Sequence, residues 1–158
     1  MKRYWKVVVM VLGTLAVALN ITRAEASSCS QSALAGKWTY TYTGTIFTAN
    51  GAFPLASVGR FHQDAAGNLQ GAQTRSVAGA SGLEDISGSI TVNADDCSAT
   101  GTVNVLVDGQ LQRTATLALA YDQDGNHMRA IFQSLSLPDG TNIPVVITID
   151  GARVNTKN

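Results

Sequence analysis

Lys37-Trp38-Thr39-Tyr40-Thr41-Tyr42-Thr43 decides the fold class. Large rings alternate here with threonines at a strict period of two. A strand converts that spacing into one face of rings and one of hydroxyls, whereas a helix would scatter both round its axis. β-Branched and aromatic side chains also fit a pleated, half-buried surface. The alternation returns downstream. Ile86, Gly88, Ile90 and Val92 alternate with Ser87, Ser89, Thr91 and Asn93, and Val103, Val105 and Val107 follow. Leu111 to Tyr121, Met128 to Leu135 and Val145 to Val154 continue the series, and two weaker segments, Ser57 to Gln63 and Leu69 to Val77, fill the gap. The reading predicts about eight strands.

The connections are hairpin-like. Asp64-Ala65-Ala66-Gly67-Asn68 and Asp122-Gln123-Asp124-Gly125-Asn126 are near copies, each with a Gly-Asn pair where a positive φ is cheap. Asp108-Gly109 is the tightest turn, and Asn93 to Ser98 forms another. Short turns between consecutive strands imply an antiparallel meander, and closing a meander removes its unpaired edges. The predicted architecture is an all-β, antiparallel up-and-down barrel, with a β-sandwich as the alternative. Thr48 to Leu55, which contains Pro54, and Ala78 to Asp85, which contains Glu84, read as loops able to cover a barrel mouth.

Composition agrees with strands. Beyond residue 26 the chain has one Glu (Glu84) and two Lys (Lys37 and Lys157), so exposed helix faces lack their usual residues. The first 26 residues read as a signal peptide. Lys2, Arg3 and Lys6 precede an apolar run from Val7 to Leu19, and Ala24-Glu25-Ala26 places small residues before a cleavage point at Ser27. The run is nearer a leader than a spanning helix in length, and no second such run follows, so no stable span is expected after cleavage. Lipidation at Cys29 is disfavoured by Arg23, Glu25 and the Ala at position 26. Residues 27–158 are then one exported β-domain, periplasmic or extracellular. Removing Lys2, Arg3, Lys6, Arg23 and Glu25 from 11 basic and 11 acidic residues leaves 7 and 10, a net charge of −3. Nucleic acid, which needs a basic surface, is excluded as a partner. Cys29 and Cys97, an even pair in an exported chain, are expected to form a disulfide.

No catalytic motif is present, and no cofactor or metal is expected. His62 and His127 lack a Cys, His or carboxylate at ligand spacing on their own strand faces. Asp122-x-Asp124-Gly125-Asn126 resembles part of a calcium loop but lacks the later acidic ligand, so a turn with Asp side chains on backbone amides is the better reading. Arg75 has the parity of Leu69 and Val77, and Arg113 that of Leu111, Ala115 and Leu117, which points both inward. A buried guanidinium needs a carboxylate or a ligand opposite. A bulge or slipped register, returning both to solvent, is the simpler reading. Tyr40, Tyr42 and Phe132 are candidates, with Arg75 and Arg113, to line a ligand pocket, although large rings more often fill a core.

Gly36-Lys37-Trp38 is similar to the Gly-x-Trp signature of calycin barrels such as lipocalins. Wider segments agree: Val58-Gly59-Arg60-Phe61, Gly67-Asn68-Leu69-Gln70-Gly71, and Ser87 to Asn93 running into Asp96-Cys97-Ser98-Ala99-Thr100-Gly101. Together they resemble a group of small exported bacterial proteins with calycin-like barrels. The resemblance covers most of the chain after the leader and implies a fold and an address, not an activity. It also implies that Arg153, near the end of the last strand, stacks on Trp38 at one barrel end. The expected function is that of an exported, non-catalytic barrel holding a small apolar or amphipathic ligand. A calycin-like lipid isomerase or cyclase, and a surface protein with no small ligand, are the alternatives. An interior cavity separates the first two from the third, and an inward polar group on that cavity favours the enzyme.

Overall fold

The computed structural model describes residues 28–154; the leader and its cleavage point before Ser27 lie outside them. Eight antiparallel strands follow in order: β1 (Gly36–Thr48), β2 (Gly51–Gln63), β3 (Asn68–Val77), β4 (Ala80–Asn93), β5 (Ser98–Val107), β6 (Gln110–Tyr121), β7 (His127–Ser136) and β8 (Val145–Arg153). Each pairs with its sequence neighbours, and β8 returns to β1 through a ladder from Trp38↔Arg153 to Ile46↔Val145. The barrel is closed, so every strand has a ladder on both sides and no strand is an edge strand. Among the described residues no helix is long and apolar enough to cross a membrane.

The period-two pattern sets the inside. Trp38, Tyr40 and Tyr42 are buried on β1, as are Ala115, Leu117, Leu119 and Tyr121 on β6 and Ile147 and Ile149 on β8. Thr39, Thr41 and Thr43 stand exposed between the rings. The bulges between Val105 and Leu106 and between Thr116 and Leu117 leave the inward parity of β6 unchanged from Arg113 to Tyr121.

Two expected loops are strands instead. In the first, Thr48 ends β1, and Gly51 to Leu55 already belong to β2. Pro54 is tolerated at the end of β2, beside the turn: its carbonyl still accepts from the Ala78 N–H at 3.0 Å, and the β2–β3 ladder begins at Leu55↔Val77. In the second, Ala78 and Gly79 alone make the turn, with φ values of 48° and 91°. Asp108 and Gly109 repeat that geometry at 50° and 74°. Positive φ at both central positions is the hairpin turn that matches strand twist, but an alanine there gives no sequence signal. Ala80 to Asp85, including Glu84, therefore lies in β4.

The segment that does fold back at the mouth is the β7–β8 connection. Its Ile143 N–H donates to the Leu135 carbonyl and its Pro144 carbonyl accepts from the Phe47 N–H. Here the β7–β8 ladder runs only from His127↔Ala152 to Ile131↔Thr148.

Candidate functional site

Among the described residues the barrel has a sealed end and an open end. Residues 28–35 form turns across the sealed end, where Cys29 and Leu34 are fully buried. Cys29 is bonded to Cys97 in the β4–β5 turn, with 5.2 Å between their Cα atoms. Trp38 lies beneath this segment, donating from Nε1 to the Leu34 carbonyl at 3.1 Å. Its ring stacks on Phe61 at 6.3 Å and meets Tyr121 edge-on at 5.6 Å. The Arg153 guanidinium lies 5.9 Å from the ring centroid and donates to the Ala33 and Ala35 carbonyls. The glycine of Gly36-Lys37-Trp38 has a local reason: φ is 145°, and a Cβ there would lie 3.4 Å from the Arg153 guanidinium.

Toward the other end, a cavity of about 60 Å³ lies inside the barrel. Tyr40, Tyr42, Arg75, Arg113 and Phe132, the five residues singled out from sequence, all line it. Phe61, Ile86, Leu117 and Ile147 are among the apolar side chains that complete the wall. At roughly 10–15 Å³ per water, such a volume exceeds an ordinary packing defect.

Both arginines point inward, which corrects the simpler solvent-facing reading. The alternating face prevails because each guanidinium meets the same carboxylate. Arg75 donates from Nε to Oε1 of Glu84 at 2.9 Å, and Arg113 donates from Nη2 to Oε2. Their side chains are 22% and 13% exposed, and that of Glu84 only 6%. Gln73 donates to Glu84 Oε2 at 2.7 Å and accepts from the Tyr40 hydroxyl at 2.8 Å. Burial alone would raise the Glu84 pKa. Hydrogen bonds from Arg113, Gln73 and Arg75, with the Arg113 charge, outweigh it and hold the carboxyl below its usual range. Burial pushes the Tyr40 hydroxyl up, so it stays protonated.

Glu84 and Gln73 were missed from sequence, although both had a signal. Glu84 continues the inward series of Ile86, Gly88 and Ile90 backward, and Gln73 shares the parity of Leu69 and Arg75. Reading 78–85 as a loop broke the first series at the one residue that mattered.

The histidines lie elsewhere. His62 is exposed on β2. His127 Nδ1 lies 2.9 Å from Asp122 Oδ2, a carboxylate supplied by the turn rather than by its own strand face. Asp122, Asp124 and His127 place one ligand atom each within 4.8 Å of one another. The aspartates, however, cap the turn: Asp122 Oδ1 accepts from the N–H groups of Asn126 and His127, and Asp124 Oδ1 from that of Asn126. Burial would raise the Asp122 pKa, but bonds from His127, Asp124 and Asn126 bring it down to about 2.

A depressed carboxylate stabilises the fold above its unfolded pKa of ~4, and that contribution disappears as pH falls toward the folded value. Solvent exposure reduces it to on the order of 1 kcal/mol. Asp122→Asn should therefore lower thermal stability at pH 6 and converge with the parent protein near pH 2. Melting curves across this range check the point, and a constant difference between the two proteins would contradict it.

No protein-family model matches the chain, and no curated protein does. Among solved structures, the S-type phycobiliprotein lyase CPES from Guillardia theta overlays with a TM-score of 0.44 and 10% identity, covering 82% of this chain and 92% of that one. Rv2717c from M. tuberculosis overlays with a TM-score of 0.40 and 12% identity, covering 82% and 98%. At such identity and overlap neither likeness says what this chain does.

Proposed function

We propose that the protein is an exported, non-catalytic barrel that holds a small apolar or amphipathic molecule inside the strands. The observation that carries this reading is the cavity of about 60 Å³, walled by aliphatic and aromatic side chains. Apolar walls favour an apolar occupant because its burial removes hydrocarbon surface from water. Such a molecule would meet Phe132, half-buried with its ring 5.8 Å from that of Tyr42, on the cavity wall. The disulfide is consistent with an oxidising destination.

The enzyme reading draws on Gln73, Arg75 and Arg113, polar groups that do touch the cavity. Their chemistry favours binding instead. A guanidinium stays charged and Gln does not titrate. Glu84 is held ionised and Tyr40 protonated. None is poised to exchange a proton near neutral pH, which a general acid or base requires.

The test is a titration of the isotope-labelled domain, from Ser27 onward, with 1-octanol, followed by amide NMR. Saturable shifts should map to the inward residues of β1, β3 and β6. Native mass spectrometry of protein taken from its host should also find a bound small molecule. A bare mass together with no saturable shifts would overturn the reading.

A further inference from the structure

We propose that the molecule held in the barrel carries one negative charge, received at the open end by Arg75 and Arg113 in competition with Glu84. This deepens the binding reading and rests on it. Charge counting comes first. Two guanidiniums share one carboxylate, so the cluster carries a net charge of +1 in a partly desolvated position. Uncompensated charge there is costly, and a single added anion balances it. A dianion would overshoot, so a monoanion is the better match.

The donor count agrees. Among the described residues, Arg75 and Arg113 each make a single hydrogen bond, both to Glu84. A guanidinium offers a planar fork of several N–H donors suited to a carboxylate's two oxygens, so most of each fork is unused. Both arginines also line the apolar cavity. A head on the forks therefore places its chain among Tyr42, Phe132 and the aliphatic wall.

There is room for the head. Gly82, the cross-strand partner of Arg75, shares the parity of Glu84 and Ile86 but is exposed, at the mouth rather than in the cavity wall. A Cβ built at Gly82 would meet nothing within 4 Å. The ligand class is thus a short, single-chain amphiphile with a monoanionic head, for which Glu84 is the internal stand-in when no ligand is bound.

The test compares octanoate with 1-octanol, the same chain with and without the charge, by NMR titration at pH 7. The intact domain should bind octanoate about tenfold more tightly, the order of one charge-assisted hydrogen bond. Arg113→Met and Arg75→Met should each remove most of that octanoate-to-octanol ratio, with each variant's own octanol affinity as its reference. Gly82→Val should do the same without altering any charge. Glu84→Gln should raise octanoate affinity by freeing both forks. The ratio in the unaltered domain needs no variant to fold. A ratio near one, or a tenfold ratio indifferent to both arginine substitutions, would overturn the anionic head while leaving an apolar-ligand barrel standing. Absence of binding by either molecule would remove the binding reading itself.

Discussion

Trp38→Ala should destabilise the barrel by ~3–5 kcal/mol, the cost of truncating a fully buried large aromatic side chain. The ring is 0% exposed and lies between Phe61, Tyr121 and the Leu34 segment. Its loss opens a cavity at the sealed end and leaves the Leu34 carbonyl without its Nε1 partner. Arg153→Ala should lose ~0.5–2 kcal/mol for the stacked cation, together with its bonds to the Ala33 and Ala35 carbonyls, while opening no cavity of indole size. That residue is also the β8 partner of Trp38, and its backbone remains in the ladder. Denaturant midpoints for the two variants separate the effects. Trp38 is one of two tryptophans in the sequence, and the other, Trp5, belongs to the expected leader. Emission from the domain beginning at Ser27 therefore reports this site alone. It should be blue-shifted and resist acrylamide. Red-shifted, freely quenched emission from folded protein would show that the sealed end is open.

How far the sequence carried the interpretation depends on the residue. Along β1 the rings and threonines differ so much in hydropathy that one strand fixed the inward face. The same parity led to Arg75 and Arg113, residues that composition alone would place in water. What parity could not supply was the reason for them to stay inside. That reason is Glu84, hidden because Ala78-Gly79 is a two-residue turn without the usual Asn or Asp before its glycine. Pro54 misled for a related reason: its effect on a ladder depends on which neighbour is paired at that height, a property of register rather than of local sequence. The cavity was not legible at all. Tyr42, Phe132 and Leu117 would read the same in a packed core, and only their relative positions leave space between them.

Cutting the Cys29–Cys97 bond should cost about 4 kcal/mol on the chain-entropy view, since the bond closes a loop over a separation of 68 residues. The double variant Cys29→Ala with Cys97→Ala avoids a stray thiol and should lower the denaturation midpoint accordingly. The strand ladders close without the bond, so far-UV circular dichroism should remain that of a β-protein. The sealed end should respond more locally. Residues 28–35 would still be held by the Gln31 Oε1 bond to the Val92 N–H at 3.0 Å, by Arg153 on the Ala33 and Ala35 carbonyls, and by Trp38 on Leu34. Those contacts do not constrain the unfolded chain, whereas the disulfide does. Weakening the segment should also increase water access to the indole beneath it, so Trp38 emission in the double variant should quench more readily than in the parent. Because both perturbations act on one contact surface, adding Trp38→Ala to the double variant should cost less than the sum of the separate effects. Unreduced parent protein should gain no mass on alkylation. A free thiol there, or an unchanged midpoint after the bond is removed, would refute the staple.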